Sequence, residues 1–248
     1  MTWQGFEYRL ISPEDHDRIK ALHEECFPVR YSDSFYRNAC MGQGFRGGSL
    51  YTCLCVEQAT KLVVGFIIAQ VQPENEVEDT GLLGVRLSPN VVSSETGRAV
   101  ESDASVRQVC YILTLGLDNA YRRAGLGSRL LEYCIAYARS NRNCGAVYLH
   151  VIHNNPSAIA FYKRNDFLQL RSLSNFYIIN GERHTAFLLI FYINGFQRPG
   201  ATWQRLLTSM RNAVGGVLSW LSGLWYSEAQ ATTELADAEE GKGELNTV

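Results

Sequence analysis

The segment with the clearest potential for chemistry is a glycine-containing turn that carries two arginines, Arg122-Arg123-Ala124-Gly125-Leu126-Gly127-Ser128. Glycine lets a backbone approach a ligand closely, and the first N–H groups of a helix lie unpaired at the positive end of its dipole. These features predict a diphosphate site where a helix begins. A Walker A loop is excluded because no Gly-Lys-Ser/Thr follows, and the third glycine of a dinucleotide fingerprint is missing.

Two side chains that can move protons lie on two separate apolar segments. Tyr111 belongs to the apolar run 109–115, and His150 belongs to the run 146–151. A phenol and an imidazole can both take or give a proton in general acid–base catalysis. On residue type alone, packing within a sheet is the simpler explanation for both, so the surrounding sequence has to decide their role.

The elements that must position these residues follow from hydrophobic periodicity. Ser12-Pro13-Glu14-Asp15 has the N-cap, the proline and the acid that start a helix, which we predict to run to about Cys26. Further helices are predicted after Gly127 and from Pro156 to about Arg164. Strands are predicted over residues 6–11, 51–56, 62–71, 109–115, 146–151, 177–179 and 186–193. The order β-α-β-β-β-α-β-α-β-β predicts one mixed α/β layer structure.

Three segments outside these elements have distinct compositions. Residues 72–107 carry Pro, Gly, Ser and acids with little periodicity, which predicts a long mobile loop. Over 203–225 apolar residues recur at three- and four-residue steps beside two arginines and no acids, which predicts an amphipathic helix in a membrane interface. A helix packed back on the core is the alternative. The acidic residues 227–248 predict a disordered tail, so the predicted domains are 1–198, 199–226 and 227–248.

Composition narrows the classes of partner. The 248 residues carry a formal net charge of −2, which argues against a nucleic-acid partner. Seven cysteines, an odd number, lie mostly in apolar runs and predict reduced thiols in a cytosolic compartment. Cys53 and Cys55 have the wrong spacing for a zinc pair, so no metal is expected. No apolar run of about 18 residues occurs, so no membrane-spanning helix is expected.

The arginine–glycine turn and the Asn154-Asn155-Pro156 turn together resemble the acetyl-CoA site of the GNAT acetyltransferases. A narrower resemblance rests on five segments. These are Phe27-Pro28-Val29-Arg30-Tyr31, Tyr111-Ile112-Leu113-Thr114-Leu115-Gly116, Tyr121-Arg122-Arg123, Tyr148-Leu149-His150-Val151 and Ala158-Ile159-Ala160-Phe161-Tyr162. They resemble the NatF-type N-terminal acetyltransferases and the NatE catalytic subunit over residues 6–195, and the C-terminal extension favours the NatF type.

The resemblance implies the GNAT fold, a mixed sheet splayed between two middle strands, with acetyl-CoA as co-substrate and no metal. Tyr111 and His150 then act as the general base, through a water, for direct attack by an α-amino group. The residues implied to hold the coenzyme are Leu113, Thr114, Leu115, Arg122, Arg123, Ala124, Gly125, Leu126, Gly127, Ser128, Asn155 and Tyr162. Backbone N–H groups at 113–115 would polarise the thioester carbonyl, and Tyr162 would either protonate the leaving thiolate or only pack against the coenzyme.

The resemblance also implies an apolar substrate slot. Its residues are Phe27, Pro28, Val29, Tyr31, Phe176 and Tyr177, together with Tyr111 and His150. Such a slot selects N termini that retain Met, followed by apolar, Lys or similar residues. The implied partners are the N termini of cytosol-facing proteins and, through 203–225, the cytosolic face of a membrane, the Golgi before the plasma membrane. The oligomeric state is left open, a homodimer included.

Four alternatives stay open at this point. A lysine or histone acetyltransferase on the same fold would acetylate an N-blocked peptide with internal lysines. A NatE-type enzyme would share the reaction but not the C-terminal extension. A non-catalytic acyl-CoA-binding module at membranes predicts that substituting Tyr111 and His150 changes no rate. A small-amine acetyltransferase is less favoured, because it would not need an aromatic peptide slot.

Overall fold

The computed structural model of the chain describes residues 5–44, 49–86, 106–179 and 181–200. A seven-stranded sheet in the order β1-β2-β3-β4-β5-β7-β6 lies between helices and confirms the predicted mixed α/β architecture. The strands are β1 (Phe6–Arg9), β2 (Ser49–Glu57), β3 (Val63–Pro73), β4 (Gln108–Leu117), β5 (Cys144–Ile152), β6 (Leu168–Ile179) and β7 (Glu182–Tyr192). The helices are α1 (His16–Cys26), α2 (Asp33–Cys40), α3 (Leu126–Ser140) and α4 (Pro156–Arg164).

Local sequence explains where helices begin. Asp15 Oδ2 accepts hydrogen bonds from the backbone N–H of Ser12 at 2.8 Å and from its hydroxyl at 2.9 Å, just before α1. Asn155 caps α4, because its Oδ1 accepts from the Ala158 N–H at 3.0 Å. Gly125 is the N-cap of α3 at a φ of 83°, in the left-handed region that favours glycine. These starts agree with the predicted ones.

The two middle strands, β4 and β5, separate half-way along their length. They are the only parallel neighbours among the described strands, and their ladder ends where Tyr111 faces Tyr148. Beyond that level β4 continues to Leu117 and β5 to Ile152 without pairing to each other. The sheet is therefore splayed between β4 and β5, as the resemblance implied. We call the end where these strands begin the lower end, and the splayed end the upper end.

A β-bulge in β4 lies at the level where the strands part. Ala69 of β3 faces Ile112 and Ile68 faces Thr114, so Leu113 has no partner in β3. A bulge bends a strand and increases its twist, and it re-aims the side chains that follow. The bulge thus turns the upper part of β4 away from β5.

Three apolar clusters hold the sheet. One packs α3 and α4 against one face, with Leu130 and Phe167 among its buried members. The second packs α1 and α2 against the other face around Phe66. The third lies at the lower end of β4 and β5, around Leu82 and Phe196. The lower end is thus closed by apolar packing.

Two elements differ from the sequence-based expectation. Helix α2 was not predicted, because its eight residues lie in a short segment where Phe35, Tyr36, Ala39 and Cys40 are buried without a long periodic pattern. Strand β6 has 12 residues instead of the predicted 177–179. It is an edge strand with mostly exposed or half-buried side chains, so it lacks the apolar alternation that marks a strand.

The first part of segment 72–107 is packed rather than the mobile loop that its sequence predicts. Leu82 and Leu83 are 0% and 6% exposed. Glu74 accepts a hydrogen bond from the Leu83 N–H at 2.9 Å and lies 3.1 Å from Arg107 Nε, which ties both ends of the segment together. Two buried leucines in a polar stretch create no periodicity, so the sequence pattern could not show this packing.

The other predicted segments lie outside the described residues. These are positions 87–105 of the loop, the amphipathic helix predicted at 203–225 and the acidic tail 227–248. Within the described ranges, the helices are too short or too polar to cross a membrane. All seven cysteines are free thiols.

Candidate active site

A cavity of about 180 Å³ opens where β4 and β5 separate. Its walls come from both strands, from the segment after α1, from the start of α4 and from β6. The lining residues that the sequence analysis had singled out are Phe27, Pro28, Val29, Tyr31, Leu113, Thr114, Leu115, His150, Asn155, Tyr162 and Tyr177. The fold thus brings these eleven predicted residues from distant parts of the chain around one space, whereas Tyr111, Phe176 and the turn 122–128 do not line it.

The predicted proton-transfer pair is in contact at the splay. The hydroxyl of Tyr111 lies 3.0 Å from His150 Nδ1. Burial raises the pKa of Tyr111 well above its ordinary range, and the neighbouring Tyr177 adds to this effect. The phenol therefore stays protonated at neutral pH and donates to Nδ1, which leaves the proton of a neutral imidazole on Nε2.

Asp79 completes this arrangement from the opposite side of the imidazole. Its Oδ2 lies 3.2 Å from His150 Nε2, an ion-pair distance at which the alignment falls short of a hydrogen bond. The side chains of His150 and Asp79 are only 4% and 13% exposed. Tyr111, His150 and Asp79 thus form a line of three groups. Sequence reasoning missed Asp79, because it is one acid in the irregular segment 72–107.

Two tyrosines tie the slot walls to the splayed strands. Tyr31 donates to the carbonyl oxygen of Leu113 in β4 at 3.4 Å. Tyr177 donates to the carbonyl oxygen of His150 in β5 at 3.2 Å. Each phenol thereby satisfies a backbone acceptor beyond the level at which the β4–β5 ladder ends.

Phe176 takes a different place from its neighbour Tyr177. Its ring centroid lies 4.2 Å from the His150 ring, and it is 41% exposed. It is absent from the residues that line the cavity. Phe176 therefore covers the His150 imidazole, whereas Tyr177 forms a wall of the slot.

A buried histidine that the sequence analysis did not consider supports the lip formed by residues 27–31. His23 is 1% exposed, and its ring stacks on Phe27 at 4.7 Å and lies 4.9 Å from Tyr31. Burial, with the positive charge of Arg30, lowers the pKa of His23 to about 4. A neutral imidazole therefore packs against the lip at neutral pH. A single histidine in a helix gives no sequence signal for this role.

The arginine–glycine turn has the backbone geometry expected of an anion site. No side chain caps α3, so the N–H groups of 126–128 have no partner within the helix. Arg123 is exposed and adopts a φ of 65°, whereas Arg122 Nε donates to the Leu117 carbonyl at 3.1 Å and ties the turn to β4. Leu126 is 2% exposed, so only its backbone can reach a ligand. Ala124 and Ser128 lie in the same turn.

Several polar groups at the cavity lack partners that an acyl-pantetheine chain would supply. Thr114 lines the cavity, and its buried Oγ1 has no hydrogen-bond partner among the described residues. Asn155 uses Oδ1 as a helix cap and keeps its Nδ2 donor for a ligand. At Gly127 a Cβ atom would lie 3.0 Å from Leu117 Cδ1, so a side chain would crowd the turn. The residues therefore fit acetyl-CoA. The described residues contain no group of three or more potential metal ligands.

Comparisons with known proteins agree with this geometry. The acetyltransferase (GNAT) family signature matches residues 16–167. The chain is 32% identical over 226 residues to N-alpha-acetyltransferase 60 of Danio rerio, which covers 87% of this chain and 79% of that protein. It is 30% identical over 222 residues to histone acetyltransferase MCC1 of Arabidopsis thaliana, which covers 89% of this chain and 83% of that protein.

A solved structure gives the same result for the fold. Arabidopsis thaliana NAA60 in complex with acetyl-CoA matches with a TM-score of 0.63 and 30% identity, over 77% of this chain and 99% of that one. The predicted resemblance to NatF-type enzymes is thereby confirmed. By sequence and by fold, this chain belongs to the GNAT family of acetyl-CoA-dependent acetyltransferases.

Proposed function

We propose that the chain is a protein N-terminal acetyltransferase of the NatF type, which transfers the acetyl group of acetyl-CoA to N termini that retain Met. The observation that carries this proposal is the Tyr111–His150 contact at 3.0 Å, in which His150 lines an apolar slot and Tyr111 lies behind it. A protein α-amino group has a pKa of about 7.7–8.0, so a modest base suffices to remove its proton. A lysine, with a pKa of about 10.4, would need a stronger one.

Near pH 7 a fraction of the α-amino groups is already neutral, and such an amine loses one proton as its nitrogen attacks. Tyr111 accepts that proton, directly or through a water, while its own proton passes to His150 Nδ1. The carboxylate of Asp79, 3.2 Å from Nε2, stabilises the imidazolium that results. Backbone N–H groups at 113–115 donate to the carbonyl oxygen as the amine nitrogen attacks and negative charge develops there.

The leaving thiolate needs a proton when its carbon–sulfur bond breaks. Tyr162 lines the cavity from the last turn of α4, and burial raises the pKa of its phenol. The phenol therefore stays protonated and donates a hydrogen bond to the departing sulfur. The amine proton held by His150 then passes to the thiolate through solvent, so that free coenzyme and the acetylated N terminus leave an unchanged enzyme.

The slot accounts for the preference for Met. Phe27, Val29 and Tyr31 form an apolar lip on one side and Tyr177 forms the other wall. An unbranched apolar side chain fits such a slot, and a free chain end enters it more easily than a lysine flanked by backbone on both sides. The similarity to histone acetyltransferase MCC1 keeps histone acetylation as a second candidate.

We further propose that residues 203–225 hold the enzyme on the cytosolic face of Golgi membranes. The support is the apolar stripe with tryptophans at 203 and 225 and two arginines on the opposite face. N termini of cytosol-facing proteins, often membrane proteins themselves, are then the partners. Cell fractionation of the full chain and of a chain lacking 201–248 tests this location, and a shortened chain that still pellets with Golgi membranes contradicts it.

The reaction is tested with peptides. Free N termini beginning Met-Leu, Met-Lys, Met-Asp and Ser-Glu are offered with acetyl-CoA beside an N-blocked lysine peptide, to the wild type and to His150→Ala. We expect acetylation of the Met peptides that collapses in the variant. Acetylation of the blocked peptide alone identifies a lysine acetyltransferase, and coenzyme binding without transfer identifies a binding module.

A further inference from the structure

Exposed arginines gather at the lower end of the domain, away from the cavity. We define the basic patch as Arg86, Arg107, Arg142 and Arg198, all of which are exposed. The parallel strands β4 and β5 begin at this end and splay at the other. The patch and the active site therefore lie at opposite ends of the same two strands.

A shared aromatic ring brings two of these arginines together. Arg86 Cζ lies 5.4 Å and Arg107 Cζ lies 5.6 Å from the centroid of the Phe196 ring. Arg86 Nε also donates to the carbonyl oxygen of Asn194 at 3.2 Å. The two guanidinium groups therefore lie on one surface although the two arginines are 21 positions apart in the sequence.

The other two arginines are held next to this pair. Asn194 Nδ2 donates to the carbonyls of residues 141 and 144, at 2.9 and 3.0 Å, so it fixes the turn that carries Arg142. The Gly84 N–H donates to the Gln197 carbonyl at 2.7 Å, which places Arg198 beside the segment that carries Arg86. The four residues form one surface.

Among the residues that the structure describes, three of these four arginines have no acidic partner. Arg107 is paired with Glu74 and also donates to the carbonyls of Leu83 and Gly84, so it has a structural role. Arg86, Arg142 and Arg198 form no ion pair with any acid of the described residues. An anionic partner would supply the missing negative charge.

Exposed apolar side chains lie within the patch and indicate which anionic partner fits. Val85 and Val106, next to Arg86 and Arg107 in sequence, are 62% and 57% exposed. Arginines interleaved with exposed apolar residues are typical of surfaces that lie on anionic bilayers. A nucleic acid fits less well, because Phe196 is only 8% exposed and offers bases no stacking surface.

We infer that the basic patch docks on anionic phospholipid as a second, electrostatic membrane contact beside segment 203–225. The inference rests on the membrane attachment proposed above. One weak apolar anchor gives marginal and reversible binding, and a basic patch is a common second signal. Arg198 precedes Trp203 by only five positions, so the two contacts are continuous in sequence. Docking by the lower end leaves the cavity facing the cytosol, where N termini are presented.

The test uses the full chain and flotation with phosphatidylcholine vesicles, with and without phosphatidylserine. The patch variant is Arg86→Gln/Arg142→Gln/Arg198→Gln, which keeps the structural Arg107. The control variant, Arg37→Gln/Lys61→Gln/Arg129→Gln, removes the same charge from other surfaces. Each arginine near an anionic surface is worth about five-fold in binding, so we expect the patch variant to bind phosphatidylserine vesicles roughly 100-fold more weakly. The control should lose much less, and peptide acetylation by all proteins reports intact folding.

The outcomes separate this inference from the anchor on which it rests. If the wild type binds both vesicle types equally and the patch variant binds as the wild type does, the basic patch does not dock on anionic lipid. The membrane attachment through 203–225 would then still stand. No flotation of the wild type overturns both. If the patch variant and the control variant lose the same amount of vesicle binding, the loss comes from net charge alone. That result would also contradict docking by the basic patch. A loss confined to binding of poly(U) RNA, with vesicle binding unchanged, assigns the surface to nucleic acid instead.

Discussion

The two ends of the β4–β5 pair use the same strands for different purposes. At the lower end β4 and β5 pair from Gln108 and Cys144 to Tyr111 and Tyr148, with one irregularity after Gln108. The packing there is tight, because a Cβ on Gly145 would lie 2.5 Å from Leu83 Cδ1. At the upper end the strands part after Tyr111 and Tyr148, and backbone groups meet tyrosine hydroxyls instead of each other. Backbone groups of β4 and β5 thus bond to each other at the lower end, where they stabilise the fold. At the upper end they do not pair with each other and can bind a ligand. Changes at the upper end should alter rates, and changes at the lower end should alter stability.

The strongest test of the upper end is His150→Ala. Loss of the group that takes the proton from Tyr111 should lower kcat about 10²–10⁴-fold, the usual contribution of general acid–base catalysis. Steady-state kinetics on a Met-Leu peptide measure this effect, and thermal unfolding checks that the variant is folded at the assay temperature. The control is His153→Ala, because His153 is exposed and bonds only to the Thr185 carbonyl. Equal losses in both variants would contradict the assignment.

The matching test of the lower end is Leu82→Ala. This side chain is fully buried, so its truncation should lower the free energy of unfolding by about 2–5 kcal/mol while kcat stays unchanged. Chemical denaturation measures the loss. Val85→Ala in the same segment should cost less than about 0.5 kcal/mol, because that side chain is exposed. A large fall in kcat in a folded Leu82→Ala variant would contradict the claim that the lower end affects stability and not rate.

We expect the upper end to contribute to stability as well, through the titration of His23, and a pH series tests this. The pKa of His23 is about 4 in the folded chain and about 6.5 in the unfolded one. The unfolded chain therefore binds a proton first as pH falls, so the contribution is complete above about pH 6.5 and is lost between there and about pH 4. The loss amounts to about 3 kcal/mol.

This contribution is measured as the difference between the wild type and His23→Asn. Asparagine keeps an acceptor for the Tyr36 hydroxyl, which lies 3.1 Å from His23 Nδ1, but it does not titrate. The free energy of unfolding, followed from pH 7 to pH 4, should fall more steeply for the wild type. Parallel curves would show that His23 charges as easily in the folded chain as in the unfolded one.

The smallest expected effect concerns Asp79. Asp79→Asn removes the charge beside His150 Nε2 but keeps the shape, so kcat should fall about ten-fold with the KM for peptide unchanged. The matched control is Glu76→Gln, an exposed acid of the same segment. A raised KM with unchanged kcat would show that Asp79 contacts the peptide instead of stabilising the imidazolium.

Much of the fold could be predicted because its signals are local. The capped start before α1, the glycine turn before α3 and Asn155 before α4 were all read from a few adjacent residues. Helix α2 and most of β6 could not be predicted, because a short helix and an exposed edge strand lack a clear apolar period. Their stability comes from packing and pairing with distant elements.

The residues of the candidate site also fall into a predicted group and a group that the sequence did not predict. Tyr111, His150 and the glycine turn were identified from residue types and from their resemblance to known acetyltransferases. Asp79 and His23 were missed, because their roles depend on contacts across 71 positions to His150 and on stacking with the lip. The sequence around a carboxylate in an irregular segment does not indicate which residue that carboxylate will face in the fold.

The sequence by itself determined the family, the apolar character of the slot and the turn that can hold a diphosphate, because each depends on residue type and short-range spacing. Only the tertiary structure decided that Tyr111, His150 and Asp79 meet, that Phe176 covers the imidazole, and that segment 74–86 closes the lower end. These arrangements follow from where the β4–β5 ladder stops. That point is set by a bulge and by packing between residues far apart in the chain, which local patterns do not encode.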